Sequence, residues 1–182
     1  MNYWKHINIG DYAAHAAQVL ATIVQGNIDL LTCPFWNPID KAQVAQRVPD
    51  LIAGLQPYGV VREMAILVLR ANQQSTLHTD HTVGLNNGVK ARINIPILNC
   101  EGSITAFFDL PPTVRSNYQS NAGGTKWWPP HYRELYKPVS SVSLTAPTII
   151  RTAEPHTVYC NTNNYPRITL TMSMEEDVER FL

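Results

Sequence analysis

The chain lacks an excess of charge of either sign. Its 182 residues include 14 Lys and Arg and 14 Asp and Glu, so the formal net charge is zero. A protein that attracts nucleic acid by charge carries a basic face or a run of Lys and Arg, and the sequence contains no such run. The composition therefore does not indicate a nucleic-acid partner.

Cysteine and long apolar runs are also scarce. The three cysteines, Cys33, Cys100 and Cys160, are an odd number at wide spacing, with no CxxC pair. This pattern is unlike a disulfide framework and is typical of reduced cysteines. No apolar run approaches the length of about 20 residues that spans a membrane, and residues 1–5 lack the apolar region of a signal peptide. We therefore expect a cytoplasmic protein without a membrane partner.

Most helix signals lie in the first third of the chain. Asp11 is placed to cap a helix whose apolar residues recur at helical spacing, and Gly26 is placed to end it. Asp40 predicts a second helix that runs through Arg47, and Pro49 then stops it before a short third turn. We expect these helices to lie against the remainder of the fold.

Strand signals dominate from residue 59 onward. The candidates are short, rich in Val, Ile, Thr and Phe, and separated by turn residues; they are 61–70, 92–98, 103–109, 141–151, 156–160 and 167–174. Helices followed by many strands predict one mainly β (α+β) domain over 1–182. It would have a helical buttress at 1–58, a β core at 59–175 and a short C-terminal helix at 176–182.

One stretch, 111–138, shows no clear strand or helix pattern. It contains Gly123-Gly124 and the pair Trp127 and Trp128. An irregular segment of this length in a compact domain is often a functional lid. The two tryptophans would then line a substrate entrance; alternatively, they anchor the segment by burying their rings.

Two separated motifs carry the chemistry. His78-Thr79-Asp80 follows a strong strand signal, and His156 opens a later strand, with Arg167 at the start of the next. Alone, a His-x-Asp tripeptide is a weak signal, since it also arises as a loop His beside a capping Asp. Together with a distal His it supplies two histidines and one carboxylate, the ligand set that binds non-haem Fe(II) and leaves positions open.

Period-two alternation divides two strands into faces. In 167–174, Arg167 and Thr169 share one face with two further hydroxyl side chains, while the other face is aliphatic. In 92–98, Arg92 and Asn94 share a polar face. Each polar face either meets solvent or lines an internal cavity. In a cavity, an arginine requires an anionic partner, because burying an unpaired charge is costly.

The order of these motifs over residues 60–175 resembles the Fe(II)/2-oxoglutarate-dependent oxygenases. "KARINIPIL" and "HTVYCNTNNYPRITLTMSM" are similar to segments of the aspartyl/asparaginyl β-hydroxylase branch of that superfamily. Two positions depart from the branch: Asn94 stands where His is frequent, and Thr169 stands where Ser is more usual. The resemblance implies a double-stranded β-helix (jelly roll, cupin-like) core, buttressed here by the N-terminal helices.

The resemblance also implies a catalytic site. His78, Asp80 and His156 would bind Fe(II), with 2-oxoglutarate as co-substrate and O2 as oxidant. Four residues would contact the co-substrate: Arg167 at its distal carboxylate, helped by Thr169, Arg92 and Asn94. The enzyme would hydroxylate its substrate and release succinate and CO2.

The substrate itself is not indicated by the sequence. A protein or peptide side chain is one candidate, and Trp127 and Trp128 are candidate contacts for it. The main alternative is a non-catalytic, cupin-like jelly roll that binds a metal or a small anionic ligand. A zinc hydrolase with the same ligands is a third reading, which leaves Arg167 without a role.

Overall fold

The computed structural model describes residues 1–26, 34–80, 89–120, 125–160 and 165–182. Within this part of the chain, the strands form two six-stranded sheets in which neighbouring strands are antiparallel. The strands are β1 (Trp4–His6), β2 (Trp36–Ile39), β3 (Val61–Leu69), β4 (Leu77–Thr79), β5 (Arg92–Leu98), β6 (Ile104–Phe107), β7 (Gln119–Ser120), β8 (Lys126–Trp128), β9 (Ser140–Ser143), β10 (Thr148–Ile150), β11 (His156–Tyr159) and β12 (Arg167–Met174). The first sheet has the order β1-β10-β5-β12-β3-β2, and the second β7-β8-β4-β11-β6-β9.

The central strands pair in a nested pattern. β3 pairs with β12, β4 with β11, β5 with β10 and β6 with β9. Strands β3 and β5 belong to the first sheet, and β4 and β6 to the second. The chain from β3 to β12 is thus one long antiparallel hairpin whose two arms pass together from sheet to sheet.

The predicted starts of the two N-terminal helices are confirmed, whereas the expected C-terminal helix at 176–182 is only a 3-10 turn. The helices are α1 (Tyr12–Gln25), α2 (Lys41–Arg47), α3 (Pro49–Leu55), α4 (Pro112–Arg115) and α5 (His131–Leu135), with 3-10 turns at Gln56–Tyr58 and Val178–Phe181. The Asp11 carboxylate accepts a hydrogen bond from the backbone N–H of Ala14, and that of Asp40 from Ala42. Pro49 begins α3, where its missing N–H would have had no helical partner.

Several strand expectations need correction. The predicted bounds 92–98 and 167–174 are those of β5 and β12, but 141–151 is two strands, β9 and β10, in different sheets. Pro147 lies between them, and proline cannot donate to a sheet ladder. The described residues of 111–138 are not irregular, since they form α4, β7, β8 and α5, and 1–58 contains β1 and β2. Gly123-Gly124 and Cys33 lie outside the described residues.

The first sheet is covered on both sides. Its aliphatic face, which includes Ile93, Leu170 and Met172, packs with Val19 of α1 and Leu51 of α3 in the main hydrophobic core. The opposite face is turned toward the second sheet, and all eight residues of β12 are buried. The polar face of β12 is therefore interior, not a solvent face. None of the helices in the described ranges is long and apolar enough to cross a membrane.

Candidate metal and co-substrate site

The two predicted histidine ligands lie side by side. In the β4–β11 pairing, His156 stands directly opposite His78, and their ring centroids are 4.3 Å apart. Asp80 follows His78 by two residues and so returns to the same side of the strand; its Oδ1 lies 3.4 Å from His78 Nε2. One ligand atom from each of the three residues lies within 4.8 Å of the other two. The predicted ligand set is brought together.

Backbone carbonyls orient both imidazole rings. His78 Nδ1 lies 2.7 Å from the Thr76 carbonyl oxygen, and His156 Nδ1 lies 2.9 Å from that of Glu154. A carbonyl oxygen only accepts, so each Nδ1 carries the proton and donates it. The lone pair is then on Nε2 of each ring, as required of a metal-binding histidine.

The electrostatics of His156 favour its neutral form. Burial, the largest cause, and the nearby His78 together lower the pKa of His156 to about 4, against the opposing effects of Asp80 and the hydrogen bond to the Glu154 carbonyl. At neutral pH the His156 ring is therefore uncharged. A neutral imidazole is the form that binds a metal ion.

An inner cavity of about 40 Å³ is lined by the three candidate metal ligands and by Arg167. Arg167 is 1% exposed, and its Nε has no hydrogen-bond partner among the described residues. Burial lowers the pKa of its guanidinium, and the neighbouring Cys100 and Cys160 oppose that change. Arginine nevertheless stays protonated in proteins, and in the described ranges no carboxylate forms an ion pair with it. Such a buried cation calls for an anionic ligand.

The other predicted co-substrate contacts are placed differently. Asn94 lines the inner cavity, and its Oδ1 has no partner among the described residues. Thr169 is fully buried on the same strand as Arg167, but its Oγ1 lies 3.7 Å from Cys100 Sγ and it does not line the cavity. Thr171, two residues further on, does line it. Thr171, and not the predicted Thr169, therefore borders the space beside Arg167.

Arg92 has a partner within the protein. Its Nη2 lies 2.6 Å from Glu63 Oε1, and its guanidinium carbon lies 5.1 Å from the ring centre of Trp36. It does not line the inner cavity. The role of Arg92 as a second carboxylate contact remains a prediction that this geometry does not support. Sequence reasoning missed Glu63, because only the positions of β3 and β5 on either side of β12 bring the pair together.

A larger outer cleft of about 760 Å³ adjoins the inner cavity at His78, Asp80, Phe35 and Trp36. Sequence reasoning missed Phe35 and Trp36, and adjacent aromatic residues in a segment without other motifs were the one signal available. Trp36 begins β2, which pairs with β3, and Phe35 directly precedes it, with its carbonyl oxygen accepting from the Val68 N–H of β3 at 2.9 Å.

The two neighbouring tryptophans of β8 have different environments. Trp127 lines the outer cleft, as predicted for an entrance residue. Trp128 is 1% exposed, packs with Leu77 and Phe108, and donates its indole N–H to the Val114 carbonyl oxygen at 2.9 Å. Trp128 therefore anchors its segment, which was the alternative interpretation for this pair.

Comparisons with known proteins identify the fold. No family model and no curated protein matches the chain. Among solved structures, it is similar to HygX from Streptomyces hygroscopicus with nickel and 2-oxoglutarate bound (TM-score 0.56, 12% identity, 93% of this chain and 80% of that one). It is also similar to the epimerase SnoN in complex with Fe3+, alpha ketoglutarate and nogalamycin RO (0.54, 15%, 94% and 78%).

A third similar structure is SnoK, a non-heme alpha ketoglutarate dependent carbocyclase from nogalamycin biosynthesis (TM-score 0.51, 17% identity, 89% of this chain and 74% of that one). At these identities the likeness establishes a shared fold. What the site of this chain does must be argued from its own residues.

Proposed function

We propose that this protein is an Fe(II)- and 2-oxoglutarate-dependent oxygenase that hydroxylates its substrate and releases succinate and CO2. The observation that carries the proposal is the inner cavity, which is lined both by the converging two histidines and carboxylate and by the buried Arg167. A metal alone would account for the first group, and an anion alone for the second. A metal-chelating dicarboxylate accounts for both.

Each residue has a definite task in this proposal. His78 and His156 present Nε2, and Asp80 presents a carboxylate oxygen, so three protein ligands hold the metal from one side. Bound Fe(II), with 2-oxoglutarate and O2, would supply the oxidation of a substrate C–H bond. Arg167 would grip the distal carboxylate with two charge-assisted bonds, which offsets the cost of its burial. Asn94 and Thr171 would line the same space.

The fold supports the same assignment. The nested strand pairing is the arrangement expected of a double-stranded β-helix, and we infer a jelly-roll core within one domain over 1–182. HygX binds nickel and 2-oxoglutarate, and SnoN binds Fe3+ and alpha ketoglutarate, on the shared fold. The likeness in motifs to the aspartyl/asparaginyl β-hydroxylase branch remains a prediction. Because the similar structures include an epimerase and a carbocyclase, hydroxylation must be tested by the product.

The decisive experiment is an anaerobic titration. The full chain is loaded with Fe(II) without oxygen, 2-oxoglutarate is added, and the weak visible charge-transfer band of the chelate is followed. We expect the band with the unaltered protein and no band with His156→Ala. The exposed His131, which lies in α5 outside the triad, gives the matched control His131→Ala, which should retain the band.

Oxygen is then admitted and succinate is measured. Succinate formation supports the oxygenase, and a product that has gained one oxygen atom supports hydroxylation. Metal and anion binding without succinate would instead identify the cupin-like binding module. Tight Fe(II) binding with no response to 2-oxoglutarate would overturn the co-substrate assignment.

A further inference from the structure

The outer cleft has the size of a small-molecule site. Its volume of about 760 Å³ falls within the range of about 300–1,000 Å³ typical of pockets for small ligands. It opens where β2 extends the first sheet beyond β3 and β8 extends the second beyond β4. The cleft therefore has one wall from each sheet, with His78 and Asp80 at its inner end.

Trp36 forms an aromatic surface on the wall from the first sheet. It is 37% exposed, although large apolar side chains are usually covered in a well-packed site. One face of its ring is covered by Arg92, which is itself held by Glu63. The ring thus packs against an ion pair whose arginine is buried and whose glutamate is partly exposed, and this contact holds its orientation while it borders the cleft.

Trp127 forms the corresponding surface on the wall from the second sheet. Its indole N–H donates to Gln119 Oε1 at 2.7 Å, so this ring is also fixed in orientation. Its neighbour Trp128 packs in a hydrophobic cluster to which Trp127 does not belong. Two oriented indole rings on separate walls suit a flat ring system, because π-surfaces stack favourably at an offset.

Arg70 adds a positive charge at the end of β3. It lines the cleft and is exposed, and it has no ion-pair partner in the part of the chain that the structure describes. Apart from the metal-ligand residues, the remaining described lining is uncharged. A guanidinium in this setting favours a carboxylate or another planar anion.

From these contacts we infer that the outer cleft binds a free small molecule with a planar ring system and an acidic group. The ring lies between Trp36 and Trp127, and the acidic group pairs with Arg70. That this molecule is the substrate oxidised at the metal rests on the proposed function. The inference selects a small ring acid over a protein or peptide side chain.

Binding can be measured without iron or oxygen by calorimetric titration of the full chain with three matched probes. Naphthalene-2-carboxylate has the flat ring and the charge, naphthalene-2-carboxamide has the ring alone, and decahydronaphthalene-2-carboxylate has the charge on a non-planar ring. We expect the first to bind most tightly. Saturating the ring should weaken binding roughly three- to tenfold, and removing the charge roughly two- to fivefold.

Variants assign each preference to a residue. Trp36→Leu and Trp127→Leu should each weaken naphthalene-2-carboxylate binding by roughly three- to tenfold, whereas Trp4→Leu, on the distant strand β1, should not. Arg70→Gln should abolish the preference for the carboxylate over the amide, and Arg70→Lys should retain most of it. If Trp36→Leu does not fold, Trp36→Phe keeps a stacking ring, and the Trp127 variant tests the clamp independently.

Three results would overturn the inference. One is equal binding of the flat and saturated probes. Another is loss of carboxylate binding in an Arg167→Met variant but not in Arg70→Gln, which would place the probe in the inner cavity. The third is oxidation of a peptide by a protein that binds none of the probes. Probe binding without an Fe(II)/2-oxoglutarate band would instead leave the cleft assignment standing and reject the oxygenase.

Discussion

The two faces of β12 are equally buried and chemically opposite. The aliphatic face, with Ile168 and Leu170, packs against the helices, and the polar face, with Arg167 and Ser173, points toward the second sheet. The first face stabilises the fold by removing apolar surface from water. The second retains buried atoms without partners among the described residues, Arg167 Nε and Ser173 Oγ, which reduces stability. A buried face that costs stability indicates a binding site.

The largest effect is expected on the aliphatic face. Leu170→Ala should lower the free energy of unfolding by about 2–5 kcal/mol, because it removes a fully buried side chain and leaves a cavity. Urea denaturation measures the loss. The KM for 2-oxoglutarate of the folded fraction should not change. A stability loss below about 1 kcal/mol would show that this face is not the main core.

The second effect concerns pH, because the polar face of β12 borders the inner cavity that His156 of β11 also lines. Burial holds the pKa of His156 at about 4, below its ordinary value of 6.5. As pH falls through 6.5, the unfolded chain takes up a proton that the folded protein does not, so stability decreases until pH 4 is reached. The metal-free protein should lose roughly 3 kcal/mol over this window.

A substitution of His156, measured without metal, isolates the contribution of this residue to the pH dependence of stability. His156→Gln cannot titrate at this position, so its stability should depend less steeply on pH between 6.5 and 4, and the difference between the two urea-denaturation series gives the contribution of His156. Leu170→Ala should keep the pH dependence of the unaltered protein. Parallel pH curves for His156→Gln and the unaltered protein would contradict the shifted pKa of His156.

The third substitution is expected to weaken co-substrate binding without lowering the free energy of unfolding. If the proposed function holds, Arg167→Met removes a charge-assisted pair worth about 1.5–3 kcal/mol, so the KM for 2-oxoglutarate should rise by roughly 10- to 150-fold. Without co-substrate, the free energy of unfolding should stay constant or increase, because an unpaired buried guanidinium is replaced by an apolar side chain of similar length. An unchanged KM would remove Arg167 from the co-substrate site.

The smallest effect is expected at the far end of the same polar face. Ser173 is fully buried, and its Oγ has no partner among the described residues. Ser173→Ala should therefore change stability by less than about 1 kcal/mol, in the stabilising direction. The KM for 2-oxoglutarate should not change, which contrasts with Arg167→Met. Marked destabilisation would mean that the hydroxyl has a bridging partner.

Sequence reasoning predicted the candidate metal ligands better than the residues that line or support the two cavities. The triad followed from a local tripeptide and one distal His, and the structure brings these residues together. The partner of Arg92 and the aromatic pair Phe35 and Trp36 could not be predicted in this way. Their positions depend on which strands are neighbours, and β2 joins the first sheet from a segment that carries no strand signal strong enough to find it.

The sequence by itself determined the local features: the capped helices α1 and α2, the bounds of β5 and β12, and the alternation that separates Arg167 from Leu170. These depend on backbone capping and period-two geometry, which act over a few residues. Only the tertiary structure decided that the polar face of β12 is buried, that Trp128 belongs to the core and Trp127 to the cleft, and that Arg92 pairs with Glu63. These features depend on which strands are neighbours within a sheet and on how the two sheets face one another, and no short stretch of sequence encodes either.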